Sequence, residues 1–195
     1  MEYRIAKEEA KARYIQIFKD IIIPAYPGAD GLLDWIQSSD FFTTPASTRF
    51  HGSFQGGLCI HSLAVYDNLV RIDRCYGFNL PAASMALCAL THDLCKCLFY
   101  RESTRNVKND ETGRWEKVPF YQVQEQYPYG GHGSKSVFYV QNYVRISFEE
   151  AAAINSHMGF ADQTNMTNIS NVYDANKLAW ALHVADEAAT YVDKV

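Results

Sequence analysis

His92 and Asp93 place an imidazole directly beside a carboxylate in an otherwise apolar stretch, and Lys96 follows three residues after the carboxylate. Four more groups of these two kinds lie far away along the chain, in segments with helical patterns: His61, His132, His157 and Asp186. Histidine and aspartate are typical ligands for divalent metals such as Zn, Fe, Mn and Co. Six such groups on separate helical segments predict a pocket for two metal ions, on which these segments must converge.

The order of these residues resembles the signature of a known family. His61, the pair His92-Asp93 and Asp186 are similar to the His … His-Asp … Asp order of the HD superfamily of metal-dependent phosphohydrolases. Lys96 falls where many members of that superfamily carry a lysine. The resemblance implies an all-α fold, an HD-domain helical bundle with a small inserted β-hairpin, in which residues 1–195 form a single domain.

One branch of the superfamily, which contains HD-type 3′-5′ exoribonucleases, is similar in finer detail. Its first motif resembles Phe50-His51-Gly52 and Gly56-Gly57-Leu58, and two later motifs resemble Ser156-His157-Met158-Gly159 and His183-Val184-Ala185-Asp186. The chain differs from this branch at Ile60, where an acid usually precedes the first histidine. Stand-alone HD proteins encoded by phages and bacteria are also similar, because they carry comparable hairpins.

The resemblance implies that Asp93 bridges two metal subsites. The other ligands would form one group of three and one group of two: His61, His92 and Asp186, then His132 and His157. The ions would be Mn, Fe, Co, Ni or Zn. We expect hydrolysis of a phosphoester in a nucleotide or short oligonucleotide by a metal-activated water, with Asp93 and Lys96 as the catalytic residues.

The same residues are compatible with two other functions. A histidine-rich HD site is also similar to the mixed-valent di-iron oxygenases of the superfamily, which cleave C–C or C–P bonds. A metal-stabilised module that binds or sequesters a nucleotide without turnover is the non-enzymatic alternative. Iron spectroscopy would identify the first, and tight nucleotide binding without hydrolysis would identify the second.

Five residues outside the ligand set are candidates for binding the substrate: Arg49, His51, Arg105, Tyr129 and His183. Arg49 and His51 lie in a loop before the pair Gly56-Gly57, where the absence of Cβ atoms lets a backbone approach closely. Arg105 belongs to a locally basic segment and Tyr129 offers an aromatic face for a base. The ordinary alternatives are a surface arginine and a hydrogen-bonded loop histidine.

Composition restricts the class of protein. A chain of 195 residues with 48% hydrophobic and 21% charged residues is typical of one globular domain, and no apolar run is long enough for a membrane span. The charged N-terminal segment and five cysteines, an odd number, favour a cytoplasmic protein with reduced thiols. A net charge of −4 argues against tight non-specific binding to long nucleic acid.

Hydrophobic periodicity predicts the helices and one β-hairpin. Residues 1–40 are expected to form packing helices at 6–23 and 32–37, and residues 99–129 an inserted hairpin region that either binds nucleotide or only covers the core. Helices are also predicted for five later ranges: 58–76, 81–97, 134–144, 148–157 and 173–192. Ser147 and Glu150 form a predicted capping box, and the polar range 162–171 is a predicted loop.

Overall fold

The computed structural model describes residues 5–48, 51–110, 112–161 and 166–195, and this part of the chain is mostly helical with one small antiparallel β element. The first four helices are α1 (Lys7–Ile17), α2 (Ala29–Ser38), α3 (Gly57–Tyr76) and α4 (Ala82–Thr91). The hairpin strands β1 (Tyr100–Lys108) and β2 (Trp115–Val123) follow. The last four helices are α5 (His132–Gln141), α6 (Phe148–Asn155), α7 (Met166–Ala175) and α8 (Lys177–Ala188).

The core is built from α3, α4, α6 and α8, which pack on one another, while α1 packs on α3 and α5 packs on α6. One cluster of buried apolar side chains draws on residues from Ala10 to Val195. Leu63 on α3, Leu87 on α4 and Leu182 on α8 are all fully buried within it. Five of the six predicted ligands therefore lie on, or directly after, the helices that form the centre of the fold, and His132 begins α5.

The predicted capping box is present at the start of α6. Glu150 donates its backbone N–H to Ser147 Oγ at 3.2 Å, and the Ser147 backbone N–H donates to Glu150 Oε2 at 2.7 Å. Two N–H groups at the helix start, which have no partner inside the helix, are satisfied in this way. The start of α6 is thereby fixed, and with it the position of its far end, where His157 lies.

The helix predicted for residues 81–97 is wrong at its C-terminal end. The α-helix α4 ends at Thr91, Asp93 adopts φ −110° and ψ 20°, and a short 3₁₀ turn covers Leu94–Lys96. Consecutive side chains on an α-helix point about 100° apart, so an unbroken helix could not aim both His92 and Asp93 at one point. The break after Thr91 allows both side chains to face inward.

The polar loop predicted for residues 162–171 is also wrong over most of its length, because α7 begins at Met166. Ile169 is 2% exposed, and Val172 and Tyr173 follow it at helical spacing and pack against the core. The helix predicted for residues 173–192 is interrupted at Asn176. The Asn176 side chain accepts from the backbone N–H groups of Leu178 and Ala179 and so caps α8.

The other predicted elements agree with the structure to within a few residues. The hairpin pairs Tyr100 with Val123 and Lys108 with Trp115. None of the helices in the described ranges has both the length and the apolar character that crossing a lipid bilayer requires. The five cysteines are free thiols, four of them buried and Cys75 exposed.

Candidate metal centre

Five of the six predicted metal ligands come together in the buried interior. The three histidines are His61 on α3, His92 at the end of α4 and His157 just after α6, and none of their surface is exposed. Asp93 is 3% exposed, and Asp186 on α8 lies beside these residues. Four separate segments of the chain thus contribute to one cluster, and the fold brings together side chains that are up to 125 residues apart in the sequence.

Each of the three imidazoles is oriented by a hydrogen bond to a main-chain oxygen. His92 Nδ1 donates to Ala89 O at 2.8 Å, and His157 Nδ1 donates to Ile154 O at 2.7 Å. Both acceptors belong to the last turn of a helix, where carbonyls lack partners within the helix. His61 Nδ1 donates to the main-chain oxygen of Val195 at 2.9 Å.

These hydrogen bonds determine which ring nitrogen carries the proton. A carbonyl oxygen can only accept, so each Nδ1 must be protonated and each Nε2 of a neutral ring carries a lone pair. The Nε2 atoms of His61, His92 and His157 are buried and have no hydrogen-bond partner among the described residues. Buried polar atoms without partners are rare and costly, and three of them facing one point is the arrangement that a bound cation would satisfy.

The lone pairs face carboxylate oxygens at short range. His61 Nε2 lies 3.0 Å from Asp186 Oδ1, His92 Nε2 lies 3.5 Å from Asp93 Oδ2, and His157 Nε2 lies 3.5 Å from Asp93 Oδ1. Ligands of one metal ion at about 2.1 Å from it are separated by roughly 3.0–3.5 Å, so these distances match the edges of a coordination polyhedron. The atoms of His61, His92 and Asp186 lie within 4.8 Å of one another, as do those of His92, Asp93 and His157.

Both carboxylates are held in the ionised form that a metal requires. Burial alone would raise the pKa of Asp93, but Lys96, His92 and His157 together hold that pKa well below its usual range. Burial likewise opposes ionisation of Asp186, but the hydrogen bond and charge that His61 supplies when its ring is protonated, with smaller effects of His92 and His157, lower its pKa. The centre therefore offers three imidazole nitrogens and two carboxylate groups, a set that suits Mn, Fe, Co, Ni or Zn.

Lys96 contacts Asp93 directly. Its Nζ atom lies 2.6 Å from Asp93 Oδ2, and the side chain is only 12% exposed. Burial lowers the pKa of Lys96, but the charge of Asp93 more than offsets this and raises it above the usual value. Lys96 therefore stays charged and balances part of the negative charge of the centre.

His132 is the one predicted ligand that the structure leaves outside the cluster. It begins α5, and its Nδ1 atom lies 3.4 Å from Cys95 Sγ. Cys95 is in turn 3.8 Å from Asp93 Oδ1, so the thiol lies between His132 and the cluster. Burial, reinforced by the charge of Asp93, raises the pKa of Cys95 to about 12 and keeps it a neutral thiol.

The predicted substrate-binding residues occupy different places. His51 lies beside the centre, with its ring 5.0 Å from the ring of His61. Burial, with smaller effects of His61 and Lys96, lowers the pKa of His51 to about 4, so it is neutral at pH 7. The loop of His51 approaches α3 so closely that a Cβ on Gly57 would lie 2.0 Å from Gly52 O. The two glycines thus permit contact between segments of the chain itself.

His183 supports the centre from outside. Its Nδ1 atom donates to His157 O at 2.7 Å, and its ring stacks on Tyr173 at 5.3 Å. Tyr173 donates its hydroxyl to Ser156 O at 2.8 Å. These two side chains fix the backbone that carries His157. The sequence prediction did not include Tyr173.

Arg105 and Tyr129 line different cavities, and no residue of the cluster lines either of them. Arg105 is 5.8 Å from the ring centre of Phe120 and lines a cavity of about 580 Å³ between the hairpin and the loop that contains Phe54. Tyr129 is 52% exposed and lies against Phe138. Arg49 falls outside the residues that the structure describes.

Other contributors were also missed by the sequence prediction. Nothing in the sequence marks the main-chain oxygen of Val195 as the partner of His61. Thr190, in contrast, follows Asp186 by four residues, a spacing that places side chains on one helical face. That spacing could have placed Thr190 near the centre.

Comparisons of this chain with protein-family models, with curated proteins and with solved structures find no match. What supports a function is therefore the chemistry of the gathered side chains themselves.

Proposed function

We propose that this chain is a metal-dependent phosphohydrolase of the HD type, which acts on a phosphoester of a nucleotide or short oligonucleotide in the cytoplasm. The observation that carries the proposal is the set of three buried Nε2 lone pairs, on His61, His92 and His157, directed at two ionised carboxylates. A cluster used only for packing would pair these atoms with hydrogen-bond donors. Their arrangement instead suits divalent cations.

The gathered side chains divide into two overlapping groups. In the proposal His61, His92 and Asp186 would hold one ion, His157 would help to hold a second, and Asp93 would be shared by both. When bound, such ions supply Lewis acidity, a water with lowered pKa and charge compensation for phosphoryl oxygens. His132 would have to leave Cys95 to complete the second group.

The remaining residues orient and balance the reacting groups. Lys96 keeps Asp93 ionised and places a positive charge at the edge of the centre, where negative charge develops on a phosphoryl group during displacement. His183 and Tyr173 hold the backbone at His157 and so limit the movement of its ring. The buried walls exclude bulk water, which strengthens each of these electrostatic effects.

The experiment is a hydrolysis panel on protein purified without chelator. Nucleoside monophosphates, cyclic nucleotides and short oligonucleotides are offered with Mn, Co, Fe, Ni, Zn or Mg. We expect turnover that chelator abolishes and that one of the ions restores. Asp186→Asn, which keeps the side-chain shape and removes the anionic ligand, should lose at least about 10²-fold in rate.

The matched control is Asp73→Asn, a change to an aspartate on α3 whose Oδ1 accepts from Leu80 N, and it should leave the rate within about twofold. Hydrolysis that ignores chelator, or equal rates in Asp186→Asn and wild type, would contradict the proposal. Tight nucleotide binding without any turnover would identify the non-enzymatic module instead.

A further inference from the structure

A cavity of about 390 Å³ opens beside the candidate metal centre and is lined by His51, Thr190, Tyr191 and Lys194. It lies between the loop that precedes α3 and the π-helical turn Ala189–Asp193 that follows α8. Ligand pockets in proteins are typically about 300–1,000 Å³, so this one is at the small end of the range.

His51 links the cavity to the centre. The ring of His51 lies 5.0 Å from the ring of His61, one of the proposed ligands. Thr190 follows Asp186 by four residues, and side chains four residues apart lie on one helical face. The residue after Lys194 holds His61 through its main-chain oxygen. A molecule in this cavity would therefore lie next to the proposed metal ligands.

Lys194 is the cation of this cavity. Its side chain is exposed, and no hydrogen bond or ion pair involves its ammonium group among the residues that the structure describes. Lys96 differs, because its ammonium group is bound to Asp93 at 2.6 Å. Of these two lysines, Lys194 is therefore the one whose charge remains available for an anionic substrate.

The backbone at Lys194 is held in an unfavourable conformation. Its φ of +65° is uncommon for a residue other than glycine, and such outliers persist only where the surrounding structure fixes them. Two contacts fix this one: Val195 N donates to Ala189 O at 3.1 Å, and Asn68 Nδ2 donates to Asp193 Oδ2 at 2.7 Å. The direction in which Lys194 leaves the helix is thereby determined.

The other walls add an aromatic face and hydrogen-bonding groups. Tyr191 is 64% exposed and offers a ring on which a base can stack. Thr190 brings a hydroxyl, and His51 brings a buried Nδ1 atom that has no hydrogen-bond partner in the described ranges. A cation, a stacking face and small polar groups around one cavity match the parts of a nucleotide.

We propose that this cavity binds the reacting end of a nucleotide substrate, with Lys194 on the phosphate and Tyr191 against the base. This inference rests on the proposed phosphohydrolase function and specifies its substrate class. The volume accommodates one nucleotide, so the substrate is a mononucleotide or the terminal residue of a short strand.

The first experiment compares Lys194→Gln with Lys19→Gln, a matched change at an exposed lysine that lies outside the cavity lining. With metal-loaded protein and a nucleoside monophosphate, Lys194→Gln should raise KM about tenfold or more and change kcat less than threefold. Calorimetric titration with inorganic phosphate should show a similar loss of affinity, while the metal content stays that of wild type. Unchanged KM and unchanged phosphate affinity would overturn the proposal.

The second experiment tests the stacking face with Tyr191→Leu. Loss of a stacked base should weaken binding of a nucleoside monophosphate about tenfold and leave glycerol phosphate unaffected. Equal effects on both ligands would overturn the assignment of Tyr191. If wild type hydrolyses nothing, the phosphate titration still reports on the cavity, so failure of the proposed activity and failure of this site give different results.

Discussion

The metal centre and the hairpin differ in how firmly the rest of the molecule fixes them. At the centre, each ligand imidazole is buried and held by a hydrogen bond, as in His92 to Ala89 O at 2.8 Å. Most hairpin side chains are exposed, including Trp115 at 70%. A hydrogen bond joins the hairpin base to the rest of the fold, from the Tyr100 hydroxyl to Ala46 O at 3.5 Å.

This difference indicates which parts can perform chemistry and which can only assist binding. Catalytic groups must be held to within a fraction of an ångström, which a packed helical core provides. Arg105 lines the cavity between the hairpin and the loop that contains Phe54, whereas His51, Thr190, Tyr191 and Lys194 line the cavity beside the centre. In the proposal Arg105 therefore contacts a part of the substrate remote from the reacting phosphate.

The largest effect is expected from Asp93→Asn. The change removes an anionic ligand and leaves Lys96 buried without its partner, an arrangement that typically costs about 3–5 kcal/mol. We expect loss of bound metal, measured by elemental analysis, and a lower free energy of unfolding, measured by denaturant titration. The double variant Asp93→Asn with Lys96→Met should recover much of the stability and none of the metal. Recovery of metal in the double variant would refute a ligand role for Asp93.

Acid should lower the stability of the metal-free protein through the two aspartates of the centre. The pKa values of Asp93 and Asp186 are lowered in the folded protein, so their stabilising contribution is present above pH about 3.9, the ordinary aspartate pKa. It is lost as the pH falls toward their folded-state values. Denaturant titrations of wild type and Asp186→Asn between pH 6 and 3 should show a shallower decline in the variant. Parallel curves would contradict the ionisation of Asp186.

A smaller effect is expected from His183→Phe, which keeps a ring against Tyr173 and removes the donor to His157 O. Loss of a group that orients a ligand typically costs about 10-fold or more in metal affinity. Competition with a chromophoric chelator measures that affinity. If His183 instead bound the substrate, KM would rise and metal affinity would equal that of wild type.

The smallest effect is expected from Arg105→Ala combined with Tyr129→Ala. Neither side chain contacts the five-residue cluster, so metal content and hydrolysis of a nitrophenyl phosphodiester should remain those of wild type. Oligonucleotide hydrolysis should fall up to about tenfold, with a weaker dependence on salt, because contacts to remote phosphates are lost. Equal losses on both substrates would show that the hairpin supports the fold only.

The contrast between the two regions also explains what the sequence could predict. The grouping of His61, His92, Asp93, His157 and Asp186 could be predicted from their order in the sequence, which resembles the HD signature, and from the inward helical positions of His61, His92 and Asp186. The hairpin was identifiable from its alternating pattern and polar turn.

What could not be predicted depends on tertiary contacts. The break after Thr91 follows from the need to aim two adjacent side chains at one point, which no local propensity encodes. The helical packing of Ile169 depends on neighbours far away in the sequence, whereas the cap of α8 at Asn176 is local and could have been predicted, because asparagine is a preferred N-cap residue. The position of His132 beside Cys95 is likewise set by how α5 packs. The residue type of His132 alone favoured a ligand role.

The central claim is that the buried cluster binds divalent metal, and metal stoichiometry tests it most directly. Elemental analysis is made on wild type, His92→Ala and His132→Ala, each purified without chelator and then equilibrated with Mn or Zn. His92 Nε2 lies 3.5 Å from Asp93 Oδ2 and 3.9 Å from Asp186 Oδ1, so His92→Ala should lose at least one bound ion, while wild type and His132→Ala should retain at least one ion per chain. Equal metal content in folded His92→Ala and wild type, or a wild type that binds none, would contradict the account.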